Sequence, residues 1–155
     1  MDIYGVLKLV HILGATLLFG TGLGTAFFMY RADGSGDVNA IAVVSRNVVL
    51  ADWLFTAPAV LIQPVTGYLL MRHVGYAWNE TWIVTSVALY LLAGACWLPV
   101  VWLQIRIRDL AKQAAVEGTP LPPRYRAYMK VWFGLGWPAF IAVIAIFFLM
   151  IFKPA

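Results

Sequence analysis

A histidine inside an apolar run near the start of the chain is the first residue whose type suggests chemistry. His11 follows Lys8 by three residues, so both side chains share one face of any helix formed there. A neutral imidazole is a common ligand of haem iron and also binds copper or zinc. We therefore take His11 as a candidate cofactor or metal ligand, and expect Lys8, nearer the end of the run, to be an interfacial anchor.

The second of the two histidines, His73, follows another apolar run. A haem held by His11 and His73 is one arrangement, and a single axial His11 is the alternative, with Met71 as a further soft ligand. The chain has one cysteine, Cys96, so it lacks the ligands for a closed four-ligand zinc site. The predicted metal ligands are His11 and His73, with haem b as the cofactor and copper as the alternative.

Membrane-spanning helices must position these side chains, because the composition excludes a soluble protein. The 155 residues are 63% hydrophobic and 12% charged, whereas soluble domains are about one quarter charged. A helix needs about 20 apolar residues to cross the hydrocarbon core, and its backbone groups must bond within the segment. Four runs are long enough, at residues 3–30, 53–71, 82–103 and 131–152. We predict an all-α, integral membrane four-helix bundle that forms one transmembrane domain over residues 1–155.

The basic residues predict the orientation of this bundle. Eight of the eleven Lys and Arg residues fall in the connections at residues 31–52 and 104–130. By the positive-inside rule these connections are cytoplasmic loops, and both termini lie on the periplasmic side of a bacterial inner membrane. The net charge of +4 is then a topology signal facing anionic lipid headgroups, and we expect no nucleic-acid partner.

The two basic connections are expected to contain some structure. Residues 33–37 have the composition of a turn, and Asp37 is a candidate N-cap for a helix from Val38. Asp52, at the end of this connection, is expected within reach of Arg46 or of the basic second connection. The third helix is predicted to continue past the membrane as far as Val116.

A polar cluster is predicted at one depth in the outer leaflet. At 1.5 Å per residue, His11 lies about 12 Å inside the outer leaflet. Polar residues at the same depth occur on the second and third helices and are Gln63, Thr66, Thr85, Ser86 and Tyr90. We assign cofactor binding to His11, Gly14, Gln63, Thr66 and Tyr90.

Glycine and proline add two expectations about packing. Gly14 is expected to leave space beside His11, and Pro64 to free a backbone carbonyl near Gln63. Gly20 and Gly24 form a GxxxG pair, which indicates close helix packing. That contact is predicted either within the chain or between two copies, in a homo-oligomer.

Two resemblances bear on function. The segment LVHILG at residues 9–14, with Gly20 nine residues after the histidine, resembles the opening helix shared by copper-resistance D proteins and bacterial membrane-embedded protoporphyrinogen oxidases. This implies that His11 ligates haem, as its counterpart does in the oxidase, or helps to handle copper. The third run lacks the lysine that the oxidase has there, and Leu18 stands where the copper-resistance proteins usually have tryptophan.

Longer segments are similar to an uncharacterised bacterial family of small four-helix integral membrane proteins. They are QPVTG at 63–67, WLPVVW at 97–102 and QIRIRD at 104–109. This family implies no activity. Three hypotheses follow: a b-type haem protein acting as a membrane oxidoreductase, a copper-handling protein, and a non-catalytic assembly or accessory bundle in which His11 is structural.

Overall fold

The computed structural model describes residues 2–154, and that part of the chain is helical with no strand. Its helices are α1 (Ile3–Ser35), α2 (Val38–Ala51), α3 (Ala57–Val74), α4 (Thr81–Glu117) and α5 (Pro123–Phe152). A π-helical turn, Asp52–Thr56, joins α2 to α3 without a break. Such turns insert one extra residue into a helix and occur often at functional sites.

Four helical segments are long and apolar enough to cross a membrane, which confirms the predicted all-α membrane architecture. The second of them combines α2, the π turn and α3 as Val38–Val74. Large apolar side chains cover their outer faces; Leu61 and Ile151, for example, are each 72% exposed. In water such a surface would be unstable, so these faces are suited to contact lipid.

The link between α1 and α2 is shorter than predicted. The turn expected over residues 33–37 is instead the last turn of α1 followed by Gly36 and Asp37. Gly36 ends α1 because its φ of 70° breaks the helix while its N–H bonds to the Asp33 carbonyl. Asp37 caps α2 as predicted, since its carboxylate accepts from the N–H of Asn39 at 2.8 Å.

The helices also extend beyond the apolar runs at the link between α4 and α5. The predicted continuation of the third helix is confirmed, because α4 ends at Glu117, where Gly118 has a φ of 64°. Helix α5 begins at Pro123, well before the apolar run at 131. Proline suits the first turn of a helix, where its missing N–H would have no partner.

Most of the buried core lies at the end of the bundle that contains the α1–α2 and α4–α5 links, which we call the loop end. There α2 packs between α1 and α4, and α4 packs along α5. The core residues include Met29, Ile41, Ile107, Ala111 and Tyr125. Tyr125 also donates a hydrogen bond to the Asp33 carboxylate at 2.9 Å, which ties α5 to α1.

The opposite end, which we call the terminal end, contains the start of α1, the α3–α4 link and the end of α5. Its buried cluster is small and consists of Met71, Trp82 and Ile83. Helix α1 packs there mainly against α3. The contact between α1 and α3 positions His11.

Candidate cofactor site

The imidazole of His11 is held by a hydroxyl on α3. Nδ1 of His11 lies 2.8 Å from Oγ1 of Thr66. Thr66 also donates to the carbonyl of Ile62 at 2.8 Å, and a hydroxyl has only one proton to give. Nδ1 must therefore be the donor in the contact with Thr66. This assignment, which follows from the hydrogen-bond network, leaves Nε2 of His11 unprotonated with its lone pair available.

Nε2 of His11 has no hydrogen-bond partner among residues 2–154. It is not one of the fully buried side-chain atoms that lack a partner, so it reaches the protein surface. A histidine with one ring nitrogen hydrogen-bonded and the other available has the arrangement typical of a metal ligand. The geometry therefore suits coordination through Nε2.

Two glycines allow the side chains of α1 and α3 to fit into each other. Gln63 donates to the backbone carbonyl of His11 at 2.8 Å, and a Cβ at Gly14 would lie only 2.9 Å from its amide nitrogen. In the reverse direction, a Cβ at Gly67 would lie 3.3 Å from Cε1 of His11. The space left by Gly14 is thus filled by Gln63, and the His11 ring packs on Gly67.

Gly67 is a site residue that was missed in the sequence. Its signal is the spacing: Gln63 and Gly67 are four residues apart on α3, while His11 and Gly14 are three apart on α1. Both spacings place a large polar residue and a glycine on one helical face. When two such faces pack against each other, the glycine of each helix leaves space for the polar side chain of the other.

Pro64 determines how Tyr90 joins the cluster. Proline has no N–H, so the carbonyl of Val60, four residues earlier, loses its helical partner. The hydroxyl of Tyr90 on α4 donates to this carbonyl. Pro64 therefore frees a carbonyl, as predicted, and this carbonyl is paired with Tyr90. Thr85 and Ser86, in contrast, donate to carbonyls of their own helix, at Thr81 and Trp82.

His73 is placed away from His11. Its ring stacks on Tyr4, with centroids 5.6 Å apart, and the ammonium of Lys8 lies 5.6 Å from the centre of the same Tyr4 ring. His73 follows Thr66 by seven residues, which is about 10 Å along α3. Met71 is buried against Trp82 and Ile83. Within the described chain, no group of three or more His, Cys, Asp or Glu residues is arranged to hold a metal ion.

Asp52 reaches the connection at residues 104–130, one of its two expected partners, but it does so through Gln104 and not through a basic residue. Its carboxylate accepts a 2.6 Å hydrogen bond from Gln104 on α4, at the start of the π turn. Asp52 follows Arg46 by six positions along the helix. The two side chains therefore point in directions about 120° apart around the helix axis. Thr56 and Trp97 lie beside the same carboxylate.

Among residues 2–154, the GxxxG pair is not used for close helix packing. A Cβ at Gly20 or Gly24 would meet nothing within 4 Å. The neighbouring Phe19 instead makes the contact with α5, through Phe140 at 4.7 Å and Phe147 at 5.5 Å between ring centroids. The alternative of close packing between two copies stays a prediction.

Comparison with known proteins gives one match. A family model described as "Predicted integral membrane protein (DUF2269)" matches residues 5–154. Neither the search of curated proteins nor the search of solved structures found a match.

Proposed function

The chain belongs to the DUF2269 family of predicted integral membrane proteins, and we propose that it binds b-type haem through Nε2 of His11 and takes part in redox chemistry. The proposal places it in the bacterial cytoplasmic membrane with both termini outside. The basic residues at the loop end support this orientation. The site then lies in the outer half of the membrane.

One observation carries this proposal, namely the hydrogen bonding of His11. Thr66 accepts from Nδ1, because its own proton is given to Ile62. Nε2 is left as a lone-pair donor in a membrane segment, where an unused ionisable side chain is costly. Neutral imidazole nitrogen is the usual protein ligand for haem iron in helical bundles.

The residues around His11 would each have a separate role in such a site. His11 would supply the nitrogen that holds the iron, and Thr66 fixes the tautomer and the rotation of the ring. Gly67 lets the ring approach the backbone of α3, and Gln63 holds α1 in register with α3. Bound haem would supply one-electron transfer.

The resemblance of the first helix to membrane-embedded protoporphyrinogen oxidases and copper-resistance D proteins supports the choice of His11. In the oxidase the matching histidine ligates haem. We place His11 as the sole histidine ligand, because His73 is engaged with Tyr4. Copper bound at His11 is an alternative outcome of the same chemistry.

A second candidate function is an accessory helix bundle without a cofactor. Two hydrogen bonds support it, since His11 to Thr66 and Gln63 to the His11 carbonyl both connect α1 with α3. In that case the histidine joins two helices, and its loss lowers stability without any spectral change.

Absorption spectra and metal analysis of the protein purified in mild detergent, from cells supplied with iron and a haem precursor, separate these candidates. We expect a Soret band with about one haem per chain, which is lost in His11→Ala. His73→Ala is the matched control and keeps the band. Stoichiometric copper without haem would favour copper handling. Colourless, metal-free protein, destabilised by His11→Ala, would favour the accessory bundle.

A further inference from the structure

Two aromatic side chains mark the membrane boundary at the loop end. Trp102 on α4 and Tyr128 on α5 meet with ring centroids 5.7 Å apart and planes at 69°. Trp102 lies at the end of the apolar run of α4 and is half-exposed. Tryptophan and tyrosine prefer the interface between lipid and water. The pair therefore places this part of the α4–α5 face at the level of the lipid headgroups.

Two arginines lie one helical turn beyond the aromatic pair. Arg106 follows Trp102 by four residues on α4, and Arg124 precedes Tyr128 by four residues on α5. Because α4 and α5 run in opposite directions, both spacings lead away from the membrane, by about 6 Å. The Arg106 guanidinium lies 5.4 Å from the Trp102 ring centre. An aromatic layer is thus followed by an arginine layer on the same face.

The two layers enclose a groove of about 410 Å³ between α4 and α5. Its lining consists of Trp102, Arg106, Asp109, Leu110, Gln113, Arg124 and Tyr128. The Asp109 carboxylate is paired with Arg108 at 2.8 Å. No other ion pair is present among residues 2–154. Arg106 and Arg124 therefore face the groove without a paired carboxylate.

We propose that this groove binds the headgroup of an anionic phospholipid. The planar guanidinium forms paired hydrogen bonds with phosphate oxygens, so two unpaired arginines suit one phosphate group. Trp102 gives the groove an apolar part on its membrane side, which suits the glycerol and acyl region of the same molecule.

The position of the groove favours a lipid over a phosphate compound from solution. Its aromatic side lies at the membrane boundary. Its arginine side lies one helical turn further out, at the level of the lipid phosphates. Other basic residues, among them Arg126 and Lys130, do not line this groove. They serve as matched controls for charge alone.

The test uses the full chain in detergent and counts bound lipid by native mass spectrometry during titration with phosphatidylglycerol or phosphatidylcholine. We expect phosphatidylglycerol to bind with the higher affinity. Loss of one arginine near an anionic surface weakens binding about fivefold, so Arg106→Gln and Arg124→Gln should each show that loss. Arg126→Gln removes the same charge from α5 outside the groove, and we expect less than a twofold change.

Three results would overturn the proposal. One is an equal loss in Arg126→Gln, which would show a diffuse charge effect. Another is equal affinity for the two lipids. The third is full displacement of phosphatidylglycerol by millimolar inorganic phosphate, which would make a soluble phosphate the occupant. Arg106→Lys keeps the charge without the planar guanidinium, so we expect an intermediate affinity for phosphatidylglycerol. An unchanged unfolding temperature would show that the variant loses binding and not folding.

Discussion

Nδ1 of His11 and Oγ1 of Thr66 lie 2.8 Å apart, on two helices and 55 residues apart in the chain. Since the Thr66 proton is committed to its own helix, the histidine is the donor in this bond. The contact thus does two things. It joins α1 to α3, and it leaves Nε2 of His11 without a hydrogen bond among residues 2–154.

Removing the Thr66 hydroxyl tests this bond directly. Thr66→Val keeps the volume and leaves Nδ1 without an acceptor, so we expect a loss of about 1 kcal/mol in the free energy of unfolding. Thr66→Ser keeps the oxygen and should be close to wild type. Thermal unfolding in detergent measures both variants. Equal destabilisation by valine and serine would contradict the assigned bond.

Gly14, which is packed against Gln63, and Gly20, which faces open space, predict opposite effects for the same substitution. Gly14→Ala places a methyl group 2.9 Å from the Gln63 amide, so the bond from Gln63 to the His11 carbonyl should break, at a cost of about 1 kcal/mol. Gly20→Ala meets nothing and should be neutral or stabilising, because alanine is the better helix former. Unfolding temperatures compare the two. A larger loss in Gly20→Ala would show that its face packs in the purified protein, as in a homo-oligomer.

Pro64 and Tyr90 should be energetically coupled. Tyr90→Phe removes the donor to the Val60 carbonyl, and we expect a loss of about 1 kcal/mol. In a Pro64→Ala background the new N–H can bond to that carbonyl, so the same substitution should cost clearly less. A double-mutant cycle on unfolding free energies measures the difference. Additive effects would mean that the tyrosine does not depend on the proline.

Asp52 and Gln104 predict an asymmetry between single and double substitution. Gln104→Leu removes the donor to a carboxylate inside a membrane-length helix, and we expect a loss of about 2 kcal/mol. Replacing Asp52 by leucine in the same chain removes the unpaired group and should recover most of that loss. Chemical unfolding of the wild-type protein, Gln104→Leu and the double variant measures these differences in unfolding free energy. A neutral Gln104→Leu would show that the carboxylate does not rely on this bond.

The sequence was sufficient to predict the parts of the fold that depend on local chemistry. Four apolar runs predicted four membrane helices, Asp37 predicted a cap, and the depth of His11, Gln63 and Thr66 predicted their contact. These succeeded because hydropathy, capping and helical rise each act along a single segment.

Other features depend on how helices are rotated against each other, and they could not be predicted in this way. The partner of Asp52 is Gln104 because α2 presents that face to α4. His73 stacks on Tyr4 because α1 and α3 are in register there. The helix ends at Ser35 and Pro123 also differed, since an apolar run defines only the part that crosses lipid.

Haem titration of His11→Gly, with and without free imidazole, tests most directly whether Nε2 of His11 can ligate haem iron. We predict that wild-type protein develops one saturating Soret band, that His11→Gly does not, and that imidazole restores the band by occupying the vacated ligand position. Absence of a saturating band in folded wild-type protein, or an identical band in His11→Gly without imidazole, would contradict the account.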